Sequence, residues 1–521
     1  MRVGQHQEVE LKLLVPPEDL PRLRRHPRLR ALAQGRPRTR ALESFYFDTP
    51  DLDLARQGVA LRLRRIGRSL VQTVKTDTPG HAGLFQRGEW ECAVRGDRPD
   101  LNAVADPGVR ERIARAIAGK SLGPVVRTEM RRTERLLREG DLEILCDLDV
   151  GEIRTPDRSL PICELELELR SGDPAALYDL ALELHETIAL RPGLESKAER
   201  GFAALTGRGP LPQHARRPSL DPEISLDDAM AEIFASCAEQ IQGNQEAARA
   251  GLEPEGVHQM RVGTRRLRSA LTLFRDVLPA EPVASLRAEL RWLGGELGEA
   301  RDLDVFLEEA LEPLLRHLPN DPALKRLRDA ARELRVEAYA RVRQAVDSRR
   351  YARFLLELGA WMAGRRWRQQ SVSPESARLF TPARELAGPL LARRLRKVRK
   401  LGSDLPQRTL DEKHALRIQV KKLRYAGEFF RDLYARAGAT RVLRRLARLQ
   451  DVLGHLNDQR TADAILERIV ERLGAEVSMD HYRGVGVVSG WTARNAEERL
   501  ERLDQRWKRF AATAPFWSAG S

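Results

Sequence analysis

Apolar and polar residues alternate along the first two hundred positions, a pattern typical of β-strands whose successive side chains point to opposite faces. In the opening segment, Glu8, Glu10 and Lys12 fall on one face, and Val9 and Leu11 fall on the other. Comparable segments follow at about 44–50, 59–65, 71–75, 87–91, 127–132, 142–149 and 163–169. Strands that are mostly consecutive are mostly antiparallel, and about eight of them can close into a barrel. The pattern therefore predicts an N-terminal α+β domain built on an eight-stranded antiparallel barrel.

The polar faces of these strands carry charge. Arg62 and Arg64 share one face, and Glu164, Glu166 and Glu168 share another. Neighbouring carboxylates repel and should have raised pKa values unless a counter-ion is present, and a hard divalent cation would serve. One interpretation is an amphipathic sheet with its charges in solvent. The other is a barrel with a charged interior that binds a linear polyanion and its metal, and recurrence over seven strands favours it.

Several blocks in this part resemble the CYTH domain of the triphosphate tunnel metalloenzymes. The blocks are the Glu8-x-Glu10-x-Lys12 start, "YFDTPDLDLARQGVALRLRR", "VQTVK", "RGEWE", "DLDVGEI", "ELELELRSG" and "ESKAERGF", in that order within about residues 5–205. The resemblance implies an eight-stranded tunnel that binds triphosphate compounds and hydrolyses them with Mg²⁺ or Mn²⁺.

The resemblance also implies roles for individual residues. On the metal side it places Glu8, Glu10, Glu164 and Glu166, with Asp149 and Glu168 as helpers. The residues implied to bind phosphate oxygens are Lys12, Arg62, Arg64, Lys75, Arg132 and Lys197. Together with Glu8 and Glu10 they form the implied catalytic set. A strand register shifted by one residue would put Arg131 in place of Arg132. The family's Thr-x-x-x-Arg pattern matches Thr128 and Arg132, so the resemblance favours Arg132.

A different pattern begins after residue 206. Residues 207–221 are rich in Gly, Pro and Arg and predict a linker, which makes 1–206 the first domain. From 222 to 515 the apolar residues recur at helical spacing. This half contains an internal repeat with an offset of 156 residues, at about 222–370 and 378–515, and segments 258–268 and 414–424 match closely. The pattern predicts an all-α duplicated helical bundle.

Each repeat carries a row of basic residues along one helix face. The first row is His258, Arg261, Arg265 and Arg268, with Arg266 beside it, and the second is His414, Arg417, Lys421 and Arg424, with Lys422 beside it. Further candidates are Arg393 and Arg396 on a preceding helix. Such rows can be solvated surface, but four cations on one face of a helix also indicate a missing anion.

The helical half resembles the CHAD domain, on the duplicated His-x-x-Arg helices and the trailing Arg301-Asp302 and Asn457-Asp458 pairs. The resemblance implies a basic channel that binds inorganic polyphosphate and performs no chemistry. The CYTH-then-CHAD order is similar to that of bacterial inorganic triphosphatases.

Composition supports an anionic partner. The 521 residues include 90 basic and 76 acidic ones, for a net charge of +14. Aromatic residues make up only 5%, which disfavours a nucleic-acid reader that stacks bases. The isolated cysteines Cys92, Cys146, Cys163 and Cys237 suggest neither a zinc site nor a disulfide framework. Without an apolar leader or membrane segment, we expect a cytoplasmic protein that associates with no membrane, with polyphosphate granules as one location.

Three functions remain open from the sequence. The first is a metal-dependent inorganic triphosphatase with a polyphosphate-binding CHAD domain. The second is a polyphosphate-binding scaffold without catalysis, against which the intact carboxylates argue, because they would weaken anion binding. The third is another CYTH reaction, either thiamine triphosphate hydrolysis or adenylate cyclisation. The oligomeric state is left open.

Overall fold

The computed structural model describes residues 6–67, 69–76, 84–207 and 209–518, without the side chains of residues 6–8, 85–87, 455–458, 475, 499 and 500. The chain forms two compact units. The barrel unit contains Met1–Leu211 and Asp347–Arg366, and the helical unit contains Pro212–Val346 and Trp367–Ser521.

The described part of the barrel unit contains one antiparallel sheet. Its strands are β1 (His6–Leu14), β2 (Ala33–Asp48), β3 (Val59–Ile66), β4 (Ser69–Thr76), β5 (Leu84–Val94), β6 (Gly123–Glu139), β7 (Leu142–Arg154), β8 (Ser159–Ser171) and β9 (Arg191–Pro192). They pair in the order β5-β4-β3-β2-β6-β7-β8-β1-β9, and a further ladder joins β1 to β5. Eight described strands thus follow one another in a ring, which confirms the predicted architecture, and the two-residue β9 adds to β1.

Helices connect the strands and form the second half of the chain. The first six are α1 (Leu20–Arg24), α2 (Pro27–Ala31), α3 (Asp53–Arg56), α4 (Pro107–Ile117), α5 (Ala175–His185) and α6 (Lys197–Thr206). The next six are α7 (Leu226–Gln242), α8 (Gln245–Ala250), α9 (Pro254–Leu273), α10 (Ala280–Val305), α11 (Glu312–His317) and α12 (Pro322–Asp347). The last six are α13 (Arg349–Ala363), α14 (Pro374–Ala377), α15 (Ala383–Gly402), α16 (Leu410–Phe430), α17 (Arg436–Leu473) and α18 (Met479–Ala511).

Both faces of the sheet are buried, and this decides where the charges lie. On β8, Leu165 and Leu167 pack into an apolar cluster with Leu177 and Ala181 of α5. Leu61 of β3 packs into another cluster with residues of α3 and α4. Because strand residues alternate between faces, the charged residues between these leucines point into the ring. The hypothesis of a charged interior is therefore correct, and the hypothesis of a solvated outer face is wrong.

Helix α13 belongs to the barrel unit, although it lies within the segment predicted as the first helical repeat. Leu356 and Ala360 are fully buried in the same cluster as α5. Polar contacts fix both ends, since Arg191 binds Asp347 at 2.6 Å and Arg366 binds Asp179 at 2.5 Å. The boundary predicted at 207–221 did not anticipate that a segment of the helical half completes the barrel core.

Replacing Leu356 by alanine should therefore lower the free energy of unfolding of the barrel unit by about 2–5 kcal/mol, because it opens a cavity in a packed core. Urea unfolding followed by the circular dichroism of the full chain measures this. Leu252→Ala is the control, since Leu252 is 71% exposed, and it should change stability by less than about 0.5 kcal/mol. Equal effects in both variants would contradict the placement of α13.

The helical unit shows the predicted duplication. Helix α16 begins at Leu410, which is 156 residues after Pro254, where α9 begins. Helix α17 begins at Arg436, which is 156 residues after Ala280, where α10 begins. Helix α7 falls on α15 within one residue at its start. The repeat therefore corresponds to a three-helix element, α7-α9-α10 and α15-α16-α17, without a gap.

Contacts between equivalent residues indicate pseudo-twofold symmetry. Phe274 and Phe430 are 156 residues apart, and their rings meet edge to face with centroids 5.9 Å apart. Backbone hydrogen bonds also join the starts of α7 and α15. The Leu226 amide donates to the Thr381 carbonyl at 2.9 Å, and the Ala383 amide donates to the Ile224 carbonyl at 2.8 Å. Two copies that touch through matching positions are related by a twofold rotation.

Within the described residues, none of the helices combines the length and apolarity needed to cross a bilayer.

Candidate functional site

The interior of the barrel is lined by the residues predicted for the tunnel. Strand pairing places Lys12 opposite Glu166, Arg62 opposite Tyr46 and Thr73, and Arg132 opposite Asp149. Directly opposed residues of an antiparallel pair share a face. The inward positions contributed by the strands thus bring together Lys12, Tyr46, Arg62, Arg64, Thr73, Lys75, Glu89, Glu91, Arg132, Asp147, Asp149, Glu164 and Glu166.

Arg132 occupies the inward position that the register left open. Its guanidinium binds Asp147 at 2.5 Å, Glu166 at 2.5 Å and both oxygens of Asp149 at 2.6 and 2.7 Å. Arg131 is exposed on the opposite face, where it lines a cavity of about 960 Å³. Arg132 is therefore surrounded by carboxylates, so the phosphate-binding and metal-side residues implied by resemblance are not separated here.

Lys197 is the second cation within the acidic group. It is the first residue of α6, whose start is fixed by a capping box between Ser196 and Glu199. Its ammonium lies 2.6 Å from Glu166, 2.7 Å from Glu164 and 2.9 Å from Asp149. Arg200, three residues further along α6, also binds Glu164. Helix α6 thus brings two positive charges to the carboxylates of β7 and β8.

These contacts change the ionisation of the carboxylates. Burial alone would raise the pKa of Glu166, but Lys197, Arg132 and Lys12 hold that pKa well below its usual range. Asp149 is also buried, and Lys197 and Arg132 keep its pKa lowered. The pKa of Asp147 behaves differently, because burial raises it to about 7 despite the nearby Arg132. Repulsion was expected to raise the pKa values of the acidic row only without a counter-ion, and Lys197 and Arg132 supply the counter-charge to Glu166 and Asp149.

The opposite side of the interior carries the remaining cations. Arg62 donates to the Thr73 hydroxyl at 2.9 Å and lies 3.8 Å from Glu89, which Lys75 approaches to 3.2 Å. The described partner of Arg64 is a neutral one, the Ser44 hydroxyl at 3.2 Å. Burial and the neighbouring Arg62 and Arg132 lower the pKa of Arg64 to about 10. Arg64 is therefore a poorly compensated interior charge, which favours an anion beside it.

The carboxylates at the β1–β8 ladder differ from those around Lys197. Glu10 lies directly opposite Glu168, so both share the inner face, and Arg170 lies 3.0 Å from Glu168. The backbone of Glu8 lies in β1, but its side chain lies outside the described residues. Among the described side chains, three or more His, Cys, Asp or Glu residues nowhere come together in an arrangement that could hold a metal ion. Arg132 and Lys197 explain this, because they fill the spaces between Asp149, Glu164 and Glu166.

The oxygen chemistry of this interior nevertheless fits a hard divalent cation. Mg²⁺ is commonly bound by one or two carboxylates while substrate phosphates and water complete its shell, and Glu10 and Glu168 form such a pair. One oxygen of Asp147 is also buried without a hydrogen-bond partner among the described residues. An orphaned buried acceptor of this kind indicates a missing cation or water.

Sequence reasoning missed several interior residues. Asp147, Tyr46 and Thr73 lie on the same strand face as neighbouring residues that were predicted to line the interior. Arg200 lies on the same face of α6 as Lys197. Parity on β7 could have found Asp147, since Asp149 was already assigned to the inner face. Tyr46 and Thr73 carry no charge, so the search for charged rows passed over them.

The first basic row of the helical unit is partly fixed by the protein. Arg261 donates to the Gly298 carbonyl at 2.7 Å and to Asp302 at 3.0 Å. Burial and the nearby Arg301, Arg265 and Arg261 lower the pKa of His258 to about 4, although Glu255 acts in the opposite direction. The buried Nε of Arg265 has no hydrogen-bond partner among the described residues. His258 is thus neutral at pH 7 and surrounded by cations.

The second row is less uniform than the repeat suggested. Burial, Arg417 and Arg460 lower the pKa of His414. Arg424 instead pairs with Glu428 on the next turn at 2.8 Å. The side chain of Asp458, predicted to act with this row, lies outside the described residues.

The structure places three of the predicted polyphosphate ligands in different surroundings. Arg266 is buried, with 4% exposed, and it binds Gln240 at 2.7 Å and Ser236 at 3.3 Å, so it is a packing residue. Arg393 binds Asp276 at 3.1 Å and Arg396 is exposed on α15, and the part of both in polyphosphate binding stays a prediction. Their neighbours Arg394 and Lys397, which were not predicted, are the charges that act on Lys422.

Comparison with protein families decides the identity of both units. The CYTH domain model matches residues 6–202, and the CHAD domain model matches residues 232–467. An uncharacterised protein of Mycobacterium tuberculosis is 30% identical over 449 residues, which cover 81% of this chain and 80% of that protein. The chain is a CYTH–CHAD protein. Its CYTH domain belongs to the triphosphate tunnel metalloenzyme superfamily.

Other relatives match single domains. The inorganic triphosphatase of Haemophilus influenzae is 29% identical over 199 residues, which cover 38% of this chain and 54% of that protein. The CHAD domain from the plant Ricinus communis, a solved structure, is 30% identical with a TM-score of 0.50 and covers 58% of this chain and 97% of that one. The CYTH–CHAD protein is thus similar to an inorganic triphosphatase over its CYTH domain and to a solved CHAD domain over its helical half.

Proposed function

We propose that the CYTH domain hydrolyses inorganic triphosphate with Mg²⁺ or Mn²⁺ and that the CHAD domain binds inorganic polyphosphate. The observation that carries the first part is the buried ring interior in which cations and carboxylates alternate. A site for anion binding alone would be weakened by so many carboxylates, whereas a metal–phosphate complex needs both charges. The similarity to an inorganic triphosphatase over the CYTH part adds support.

One group of interior residues binds phosphate, and a second group binds the metal. Arg62, Arg64 and Lys75 bind the non-bridging phosphate oxygens and offset the charge that develops on the transferred phosphoryl group. Glu10 and Glu168 would hold the divalent cation, as family resemblance also implies for Glu8, and the cation would supply further positive charge to the phosphate oxygens. Hydrolysis breaks one P–O–P bond, and water supplies the oxygen that the phosphoryl group gains.

The acidic group around Lys197 has a different role. Lys12, Arg132 and Lys197 form ion pairs with Asp149, Glu164 and Glu166. Such buried pairs hold the ammonium and guanidinium groups in fixed positions, so that they are ordered before phosphate arrives. We infer that these carboxylates position cations rather than bind the metal, in contrast to the roles implied for them by family resemblance.

A substrate panel tests the reaction. The full chain should release phosphate from tripolyphosphate in Mg²⁺ or Mn²⁺ and stop when the metal is chelated. ATP and thiamine triphosphate should be turned over more slowly. Faster turnover of thiamine triphosphate, or formation of cyclic AMP from ATP, would assign another CYTH reaction. Polyphosphate binding without any turnover would support the scaffold.

Arg64→Gln should separate activity from stability. Removing a crowded cation that has a neutral partner should leave the free energy of unfolding unchanged or slightly higher, while KM for tripolyphosphate rises roughly tenfold or more. Steady-state kinetics and urea unfolding measure the two effects. Arg65→Gln is the matched control, because Arg65 is exposed on the other face of β3. Equal kinetics in both variants would remove Arg64 from the phosphate site.

A further inference from the structure

The two copies of the CHAD repeat place equivalent residues in unequal surroundings. Where α9, α10, α15 and α16 meet, six basic side chains gather, and we call them the cationic corner: Arg268, Arg287, Arg291, Arg394, Lys397 and Lys422. After burial, the charges of Arg291 and Arg287 lower the pKa of Arg268, and those of Arg394, Lys397, Arg287 and Arg268 lower the pKa of Lys422. One Nη of Arg268 lies 3.9 Å from the point that a Cβ on Gly294 would occupy, so this guanidinium lies along α10.

The cationic corner is uncompensated. In the described part of the chain, none of its six side chains forms an ion pair with a carboxylate. Burial and like charges lower the pKa of Lys422 and of Arg268, and burial with Arg393 and Arg275 lowers the pKa of Arg394 to about 10. Arg268, Arg287, Arg394 and Lys422 are half-buried, and Arg291 and Lys397 are exposed. Like charges gathered in this way cost stability unless an anion binds between them.

The other copy of the repeat has mostly small or apolar side chains at the positions equivalent to the cationic corner. At the positions 156 residues away from the six cations stand Arg424, Leu443, Ala447, Ala238, Ile241 and Arg266. Four of the six positive charges are thus replaced by small or apolar side chains, and Ala238 and Ile241 are fully buried. We call this group the filled corner.

The two arginines left in the filled corner already have partners. Arg424 pairs with Glu428, and the guanidinium of Arg266 binds Gln240 and lies 5.5 Å from the ring centroid of Phe429. The residue equivalent to Glu428 in the other copy is Thr272, whose hydroxyl donates to the Arg268 carbonyl at 2.8 Å. The acid that neutralises one corner is therefore absent from the other.

We propose that the CHAD domain has one phosphate-binding corner and not two: the cationic corner binds the phosphate groups of inorganic polyphosphate, and the filled corner is packed core. This inference rests on the proposed polyphosphate binding and locates it. It departs from the expectation that both basic rows contribute alike. A linear polyphosphate fits the corner because closely spaced phosphates can contact several cations at once.

Paired substitutions on α15 test the site in the full chain. Arg394→Gln with Lys397→Gln removes two charges from the corner. The matched control, Arg399→Gln with Lys400→Gln, removes two exposed charges from the same helix. Binding of fluorescently labelled inorganic polyphosphate is measured in chelator over a range of salt concentrations. We expect the corner pair to weaken binding roughly tenfold or more at low salt and to lower the salt slope by ~1.4–1.8, with the control within about twofold of the parent.

A charge-introducing variant tests the asymmetry without removing a cation. Thr272→Glu copies the arrangement of Glu428 and should pair with Arg268, which weakens polyphosphate binding. Glu428→Thr frees Arg424 in the filled corner and should create no second site, because Leu443 and Ala447 stand in place of Arg287 and Arg291. Circular dichroism and tripolyphosphate turnover should match the parent in every variant, which shows that the fold and the tunnel are intact.

The outcomes separate the two proposals. A parent chain that does not bind polyphosphate would overturn the proposed CHAD function and this inference with it. A parent that binds, with the corner pair and Thr272→Glu equal to it at every salt concentration, would overturn only the location. If the Glu428→Thr variant bound polyphosphate at a second site, the proposal of a single binding corner would be wrong. Equal affinity for RNA would replace polyphosphate by phosphate polymers in general as the ligand.

Discussion

Replacing Glu166 by glutamine should destabilise the CYTH domain by about 3–5 kcal/mol, because it removes the carboxylate that neutralises buried Arg132, Lys197 and Lys12. The loss should be greatest at neutral pH. Since the pKa of Glu166 is lowered in the folded chain, its contribution is complete above the unfolded pKa near 4.5 and disappears as the pH falls through the lower, folded value. Parent and variant should therefore converge in acid.

Urea unfolding at neutral and acidic pH measures this difference. The control is Glu139→Gln, because Glu139 pairs with Arg28 but is 52% exposed, and surface pairs contribute at most about 1 kcal/mol. Tripolyphosphate turnover should fall roughly a hundredfold in Glu166→Gln, since the three cations lose their fixed positions. A stable variant with parental turnover would show that these ion pairs neither support the fold nor order the site.

Replacing Lys197 by methionine should have a comparable effect with the opposite pH dependence. Three carboxylates would remain crowded without their shared ammonium, at a cost of about 3–5 kcal/mol at neutral pH. Burial and mutual repulsion would then raise the pKa values of Asp149 and Glu166 above their unfolded values. Stability of the variant should rise as the pH falls towards 5, because protonation removes the repulsion.

Lys120→Met is the matched control for Lys197→Met. Lys120 also contacts two carboxylates, Asp51 at 2.7 Å and Asp53 at 2.8 Å, but its side chain is 44% exposed. We expect little change in stability and little pH dependence. If both lysine variants behaved alike over the pH range, burial of the Lys197 cluster would not be what makes its charges important.

The architecture of the barrel could be predicted from alternation alone. Once Leu165 and Leu167 are assigned to one face of β8, the intervening Glu164 and Glu166 must lie on the other. The same logic placed Lys12 and Arg62 inside, whereas the choice of Arg132 over Arg131 came from family resemblance. Closure of the ring then buries both faces, which is why charged strands fold here into a site.

The pairing of charges inside the barrel could not be predicted. The sequence shows that carboxylates lie two residues apart on β8, and it suggests repulsion and a metal. It does not show that Lys197 of α6 and Arg132 of β6 enter the same space, because this depends on how distant elements close around it. The lowered pKa of Glu166 follows from these long-range contacts.

Equivalent positions of the CHAD repeat show the same limit. Arg266 and Lys422 are 156 residues apart and look interchangeable in the sequence. Arg266 faces Gln240 and Ser236 and is buried, whereas Lys422 faces Arg394 and Lys397. Helix α13 is a further case, since its apolar face predicts burial but does not reveal that the partner is α5.

The rate of phosphate release from tripolyphosphate by the full chain, compared with that of the double variant Glu10→Gln and Glu168→Gln, tests the central claim most directly. The account predicts metal-dependent turnover in the parent, a fall of roughly a hundredfold or more in the double variant, and an unchanged affinity of the CHAD domain for polyphosphate in both. Parental turnover in a folded double variant, or parental turnover that persists in chelator, would contradict it.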